Sequence, residues 1–313
     1  MAWLGLFAYI KLQVQVSLLR FLLRLRSFKQ RLAIRDLLKK SSSIKIPSRD
    51  RGRSISANLY LPPKVDPNPK LPFPVLINWH GSGFVLQGHG TNAAFCSRMA
   101  QDAGIAVLDC DYRKAPEYPF PAAPNDAEDV LKWVISNPQD FDLDHILLCG
   151  FSSGANLALV TSTSWPAKLE LDHGVRGVVA FYPPTDLSIP VENRYPPNSK
   201  YPRATWLYRL AYDCYIPSAA DKKDPRMSPM YADVHEFPAH MMFVTCDGDE
   251  LCPEAEALGQ KVNVGSRSVV LHRVEDVRHG FDGICLPGSR EERLRDEVYI
   301  SVAKTIKEIV SIP

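Results

Sequence analysis

The chain has 313 residues, of which 45% are hydrophobic and 23% are charged, and its formal net charge is +2. This composition is typical of a globular protein with a sizeable core, and the length suits one large α/β domain or two smaller ones. So small a net charge gives no electrostatic basis for binding nucleic acid. The composition therefore excludes wholesale disorder and disfavours a nucleic-acid partner.

The first forty residues are apolar and basic, but they lack the pattern of a secretory signal or a membrane-spanning helix. No positive charge precedes the apolar run of residues 1–10, and Lys11, Arg20 and Arg24 interrupt the stretch short of about 20 apolar residues. The arginines recur at helical spacing, which predicts one basic face. Two interpretations stay open: a cap helix packed over the domain, and a helix lying at a membrane surface.

The middle of the chain predicts a sheet. Residues 41–47 form a Ser-rich join, residues 53–60 alternate as an edge strand should, and six prolines in residues 62–74 break regular structure. Short apolar runs then alternate with helix-like stretches, which predicts a mostly parallel central sheet with helices on both faces, an α/β fold. The predicted strands are residues 75–79, 105–110, 145–149, 175–181, 240–246 and 268–274.

Residues 150–154 carry the most informative motif, G-F-S-S-G. The motif follows the apolar run 145–149 and precedes the helix-like run 155–160. Strand, sharp turn and helix is the context of a nucleophile elbow, in which a strained turn exposes a serine, here Ser152, beside a helix N-terminus. An ordinary turn between a strand and a helix is the alternative, since glycine and serine are common in turns.

Three further loops favour the elbow. Residues 80–83 read H-G-S-G after a predicted strand, as an oxyanion loop does. Asp247 and Asp249 follow another strand, and His279 begins an H-G-F sequence after the last one. Serine, then aspartate, then histidine is the chain order of the α/β-hydrolase triad.

With these motifs the chain resembles the hormone-sensitive-lipase-like family of α/β-hydrolase esterases over roughly residues 74–310. Residues 111–123, D-Y-R-K-A-P-E-Y-P-F-P-A-A, are similar to the most specific segment of that family, and D-E-L at 249–251 stands where the family has D-P-L. The resemblance implies an α/β-hydrolase fold with a helical cap. The predicted division is an N-terminal cap segment at 1–43, a core at 44–184 and 225–313, and a Pro- and Tyr-rich cap insertion at 185–224.

The motifs assign a role to each predicted site residue. Ser152 is the predicted nucleophile and His279 the base, and Asp249, favoured over Asp247, orients the imidazole. The predicted oxyanion donors are backbone N–H groups, and the predicted pocket walls are aromatic. The donors are Ser82, Gly83 and Ser153, and the walls are Phe84, Phe151 and Phe281. Ser82, Phe151 and Ser153 depart from the family pattern of Gly, Asp and Ala, which leaves the substrate preference open.

Cysteines and ligand motifs bound the remaining possibilities. The seven cysteines include no C-x-x-C pair and several lie in apolar runs, which predicts reduced thiols in a cytoplasmic protein, membrane-associated if the N-terminal helix binds lipid. No histidine or carboxylate spacing is typical of a metal site, so we expect no metal and no cofactor. The oligomeric state, including a homodimer, stays open.

The sequence predicts a serine hydrolase that cleaves an apolar carboxylic ester or lactone through an acyl-enzyme. One alternative is a biosynthetic enzyme of the same fold that hydrolyses, transfers or cyclises one specific intermediate, because fold does not fix function. A weaker alternative is a non-catalytic ligand receptor, since the gibberellin receptors resemble this family. Those receptors lack the triad histidine, which is present here as His279.

Overall fold

An eight-stranded sheet runs through the computed structural model, which describes residues 5–26, 35–63, 72–164, 174–198, 200–283 and 285–312. Its spatial order is β1-β2-β4-β3-β5-β6-β7-β8, with β1 and β2 antiparallel to their neighbours and all later pairs parallel. The prediction of a mostly parallel sheet is confirmed. The strands are β1 Ser42–Pro47, β2 Ser54–Tyr60, β3 Phe73–Trp79, β4 Ala106–Cys110, β5 Phe141–Phe151, β6 Gly177–Phe181, β7 His240–Cys246 and β8 Ser268–Val274.

The Ser-rich segment is a strand, which corrects the prediction of a join. Strand β1 pairs antiparallel with β2 from Ser42 opposite Leu59 to Pro47 opposite Ser54. Ile46 is fully buried and Ile44 is half-buried against the core, so two inward-facing apolar side chains hold a strand whose serines and lysine are exposed. The edge of the sheet is therefore β1, and β2 lies one position inside it.

Helices cover both faces of the sheet, because parallel strands alternate with helical crossovers. On one face, the buried side chains of the sheet pack with helices α3 and α4; on the other, they pack with α2 and α7. The helices are α1 Leu6–Arg26, α2 Ala93–Ala103, α3 Ala122–Ile135, α4 Ser153–Ser164, α5 Thr205–Tyr215, α6 Cys252–Val262 and α7 Arg290–Val310. Each fully buried side chain contributes about 1.5–3 kcal/mol relative to exposure, so these two layers dominate stability.

The parallel arrangement places the predicted site loops at one edge of the sheet. The loop at 80–83 follows β3, the elbow follows β5, Asp249 follows β7 and His279 follows β8. Carboxyl ends of parallel strands meet at the same edge, which is where open α/β sheets bind ligands.

Two helices lie beside this edge. Helix α5 falls within the segment predicted as a cap insertion, and α1 packs against it. Among the described residues, Leu6–Leu25 is the one stretch long and apolar enough to cross a membrane by length and composition, and only 11% of it is buried. Buried core helices and signal sequences meet the same criterion, so length and composition alone do not establish a membrane span.

Candidate active site

Ser152 occupies a strained turn between β5 and α4. Its φ is 53°, a left-handed conformation that side chains rarely adopt, and its N–H donates to Phe181 O at 2.9 Å. A Cβ on Gly154 would lie 2.0 Å from Trp79 O, and one on Gly150 would lie 2.2 Å from Gly154 O. Only glycine permits this close approach of strand and helix, so the sequence motif and the elbow geometry agree.

His279 bridges Ser152 and Asp249. The Nδ1 atom of His279 lies 2.6 Å from Asp249 Oδ2, and its Nε2 atom lies 2.8 Å from Ser152 Oγ. With Nδ1–H donating to the carboxylate, Nε2 is left to accept the serine proton. The structure thus brings together all three residues predicted for the triad, in hydrogen-bonding geometry.

Electrostatics favour a protonatable base at this position. Burial alone lowers the pKa of His279, but the charge of Asp249 and its hydrogen bond outweigh burial, so the pKa lies above its ordinary value of about 6.5. The Asp249 side chain is fully buried, whereas that of His279 is 29% exposed. The carboxylate therefore stabilises the imidazolium from a protected position while the ring stays accessible.

Asp247 contacts the histidine loop rather than the histidine. Its Oδ1 atom accepts from the N–H of Asp276 at 2.7 Å and of Val277 at 3.3 Å, and its Oδ2 atom accepts from Asn198 Nδ2 at 2.9 Å. Asp247, the alternative triad acid, therefore fixes the loop before His279 through these hydrogen bonds.

The three predicted oxyanion donors are not equivalent in the structure. The Ser82 N–H already donates to Ser153 Oγ at 2.9 Å. Tyr112 Oη lies 2.7 Å from Ser82 Oγ and 3.0 Å from Ser153 Oγ, while its own proton goes to His80 O at 2.8 Å. Both serine hydroxyls therefore donate to Tyr112, and Ser153 Oγ remains the acceptor for Ser82 N–H. This geometry leaves the N–H groups of Gly83 and Ser153 as the more available donors.

Comparison with known proteins gives the family. A family model described as the alpha/beta hydrolase fold matches residues 76–283, about two thirds of the chain. This chain is an α/β-hydrolase. It belongs to the hormone-sensitive-lipase-like group, as its motifs predicted, and its enzyme class is that of the carboxylic ester hydrolases.

Individual relatives agree with this class. Ethyl acetate hydrolase from Pseudomonas putida is 31% identical over 246 residues, which cover 77% of this chain and 75% of that protein. A hyperthermophilic esterase from the archaeon Pyrobaculum calidifontis superposes with a TM-score of 0.78 at 28% identity, covering 98% and 99% of the two chains. Tuliposide A-converting enzyme 2 from Tulipa gesneriana is 34% identical over 197 residues, 58% of this chain, which spans about half of that enzyme (48%).

The hydroxyl of Ser153 in this esterase leads to a prediction. Ser153→Ala removes the acceptor that holds the Ser82 N–H, and so frees a third backbone donor for the oxyanion. A full oxyanion donor is worth roughly 10²-fold or more in kcat. In the unaltered protein the Ser82 N–H can already exchange between Ser153 Oγ and the oxyanion, so we expect only a severalfold rise in kcat. Steady-state kinetics on a p-nitrophenyl ester measures it. A fall in kcat would instead indicate that the Ser153 hydroxyl assists the reaction.

The three predicted pocket walls are core residues, which corrects that prediction. Phe84, Phe151 and Phe281 are 1%, 2% and 7% exposed. Phe84 stacks on Tyr215 of α5 at 3.8 Å between ring centroids, and Phe151 stacks on Phe181 at 4.3 Å. All three rings belong to the buried core clusters, so packing with core neighbours accounts for their positions.

The polar residues of the 111–123 segment serve several contacts. Asp111 accepts from Lys114 Nζ at 2.7 Å and lies 3.2 Å from the buried His80 ring. Burial and the charge of Lys114 lower the pKa of His80 to about 4, so this histidine stays neutral. Arg113 pairs with the buried Asp126, while Glu117 pairs with Arg20 of α1. The charged residues of this segment thus make three separate sets of contacts.

Sequence reasoning missed the aromatic contacts of the triad. Tyr208 of α5 donates to Asp249 Oδ1 at 3.3 Å, and its ring centroid lies 6.2 Å from that of His279. The Tyr182 ring lies 4.7 Å from the His279 ring, and its hydroxyl donates to Asp282 Oδ1 at 2.6 Å. The density of tyrosines in the insertion was visible in the sequence, but nothing in it indicated which one reaches the acid.

The described residues contain no group of three or more histidine, cysteine or acidic side chains placed to hold a metal ion. The Ser152 hydroxyl lies within hydrogen-bonding distance of His279 Nε2, and the Ser152 backbone N–H donates to Phe181 O. The arrangement is suited to nucleophilic chemistry on an electrophilic carbon.

Proposed function

We propose that this esterase hydrolyses an apolar carboxylic ester or lactone through an acyl-enzyme on Ser152. The observation that carries the proposal is the continuous hydrogen-bonded series from Ser152 Oγ through His279 to Asp249 Oδ2. As Ser152 Oγ attacks the ester carbon, His279 Nε2 takes the hydroxyl proton and then gives it to the leaving alcohol. Water repeats the sequence on the acyl-enzyme and releases the acid.

Backbone N–H groups would hold the oxyanion during both steps. Gly83 has a φ of 56° and Ser153 begins α4, so each can direct an N–H toward the carbonyl oxygen of the ester that Ser152 attacks. In the described part of the chain, neither N–H has another hydrogen-bond acceptor. Ser82 N–H would join them when its bond to Ser153 Oγ exchanges.

A dedicated substrate is the second candidate. The relatives include tuliposide A-converting enzymes and a versiconal hemiacetal acetate esterase, whose names each designate one compound. Ser82 and Ser153, whose hydroxyls both lie within hydrogen-bonding distance of Tyr112 Oη, also depart from the family pattern beside the reacting serine. Such a protein would keep the triad and its chemistry while turning over one intermediate well.

Two assays separate these functions. Hydrolysis of p-nitrophenyl esters over several acyl lengths supports the general esterase. Covalent labelling by a fluorophosphonate without ester turnover favours the dedicated enzyme, and failure to label at all would favour a non-catalytic receptor. Label recovered on a serine other than Ser152 would contradict the proposed mechanism.

We also propose that the protein is located in the cytoplasm. All seven cysteines are free, and six of them are buried, which suits a reducing compartment such as the cytoplasm. Burial raises the pKa of thiols such as Cys149 well above the ordinary range, so these side chains are inert hydrophobic groups.

A further inference from the structure

Helix α1 presents a broad apolar face to solvent. Its members recur at spacings of three, four and seven residues, and at about 100° per residue they cover roughly 160° of the helix. Each is between 48% and 88% exposed: Leu6, Phe7, Ile10, Val14, Leu18, Phe21, Leu22 and Leu25. A cap helix packed over the domain, one of the two interpretations of the sequence, would bury this surface, whereas the structure leaves these residues exposed. Phe7 is the most exposed of them at 88%, and Trp3 and Leu4 lie outside the described residues.

The opposite face of α1 is fixed to the domain. Leu12 and Val16 are buried in the core, and Arg20 holds the next turn. The Arg20 guanidinium donates to Val85 O at 2.8 Å, to Ala115 O at 2.9 Å and to both carboxylate oxygens of Glu117 at 2.6 and 2.9 Å. The helix is thus held along its middle, parallel to the protein surface, with its apolar face directed away from the domain.

We propose that this outer face docks the esterase on an anionic membrane surface, with the axis of α1 in the membrane plane. Contiguous exposed apolar surface of this kind marks an interaction site, and an in-plane helix buries such a face in the lipid boundary. A membrane-spanning arrangement would break the Arg20 contacts with Glu117 and the two carbonyls.

Charge selects the partner. Residues 1–35 contain seven lysines and arginines and no acidic residue, and Lys11 and Arg24 lie at exposed positions on α1 itself. Basic side chains beside an apolar face are attracted to anionic lipid headgroups. A symmetric contact with a second copy would instead place basic residues against basic residues. The charge pattern therefore favours a membrane over self-association.

Docking of α1 would bring the site side of the molecule to the membrane. Helix α1 packs against α5, whose Ala211 Cβ lies 3.5 Å from the position of a Cβ on Gly83 in the oxyanion loop. Trp206, at the start of α5, is 63% exposed, and tryptophan is enriched at membrane–water interfaces. Delivery of a membrane-dissolved ester to Ser152 rests on the proposed function, whereas docking itself does not.

Flotation with vesicles tests the proposal. We expect the full chain to float with vesicles of phosphatidylcholine mixed with phosphatidylserine, to float less with phosphatidylcholine alone, and to be released by salt. Phe21→Ser should weaken binding at least tenfold, because a buried aromatic side chain is lost without a change of charge. Lys11→Gln should weaken binding about fivefold on the anionic vesicles alone. Gln15→Ser, an exposed polar position on the same helix, is the matched control and should leave binding unchanged.

The other outcomes overturn the proposal. Failure of the unaltered chain to float would refute it, and a dimer in analytical ultracentrifugation that Phe21→Ser dissociates would assign the face to a second copy. Salt-resistant binding that ignores lipid charge would indicate insertion across the bilayer. Turnover of p-nitrophenyl acetate without vesicles reports that each variant is folded, and Leu25→Ser replaces Phe21→Ser if that variant is not. Because docking is measured without substrate, it can fail while the esterase assignment stands.

Discussion

Ser152→Ala is expected to abolish ester turnover while leaving the fold intact. The substitution removes one hydroxyl, whose Oγ lies 2.8 Å from His279 Nε2. Without it the acyl-enzyme cannot form, and kcat should fall by roughly 10⁶-fold, as it does when a serine protease loses its nucleophile. The oxyanion donors remain, so the variant should keep a slow residual hydrolysis that is still faster than the uncatalysed reaction in water.

A matched glycine variant separates chemistry from folding. Ser152 has a φ of 53°, a conformation that glycine adopts freely and that costs other residues of order 1 kcal/mol or more. Ser152→Gly should therefore be as inactive as Ser152→Ala, but its Tm should be higher than that of Ser152→Ala. Organophosphate labelling should disappear in both variants. Retention of label or of near-normal kcat in either would remove Ser152 from the reaction.

The elbow and the order of the triad could be predicted from sequence because short-range constraints encode them. Gly150 and Gly154 stand where any side chain would strike backbone atoms, and the apolar run before them is long enough to form a buried strand. These requirements are local, so a single sequence displays them. The parallel sheet was predictable for a similar reason, since doubly covered strands are continuously apolar.

The hydrogen-bonded set of three hydroxyls formed by Ser82, Tyr112 and Ser153 could not be predicted in that way. Ser82, Tyr112 and Ser153 are separated by 30 to 71 positions in the chain, and only the assembled fold brings them within hydrogen-bonding distance. The sequence showed that Ser82 and Ser153 replace glycine and alanine in the family pattern. It did not show that both replacing hydroxyls lie within hydrogen-bonding distance of Tyr112 Oη.

Side-chain direction was the other limit. Phe84 lies in the loop after β3 and Phe151 ends β5, as expected, but whether a ring faces substrate or core depends on backbone rotation and on its partners. Tyr215 of α5 draws Phe84 inward, and Phe95 and Phe181 enclose Phe151. Helix α1 shows the same limit, because its apolar composition left both a cap helix and a membrane-surface helix open, and only the structure shows that its outer face is exposed.

Helix α5, which lies in the predicted cap insertion, is connected to the triad by hydrogen bonds. Tyr208 of α5 donates to Asp249, and the Ala204 N–H just before that helix donates to Glu250. The loop that carries the triad acid is therefore held by the cap insertion as well as by β7. A displacement of α5 would change the surroundings of Asp249 directly, which makes the carboxylate sensitive to events at the cap.

Asp249→Asn should lower kcat by roughly 10⁴-fold, because an amide cannot hold the histidine tautomer or stabilise the imidazolium. The pH profile provides a second readout. The base acts as neutral imidazole, so kcat/KM rises as pH increases through the pKa of His279, which Asp249 raises against the effect of burial. Loss of that charge should move the rising limb to lower pH while its plateau falls.

Asp247→Asn is the matched control, with the same chemical change two residues away. Asp247 accepts from the N–H groups of Asp276 and Val277 and from Asn198, and none of these hydrogen bonds is to His279. The amide can keep only part of this set, so unfolding should become easier by about 1–3 kcal/mol. The rising limb of the kcat/KM profile should stay at the same pH, and kcat should fall far less than in Asp249→Asn. If Asp247→Asn gave the larger loss of kcat and the displaced pH limb, the acid of the triad would be Asp247, and the 2.6 Å contact between His279 and Asp249 would not be the one that activates the base.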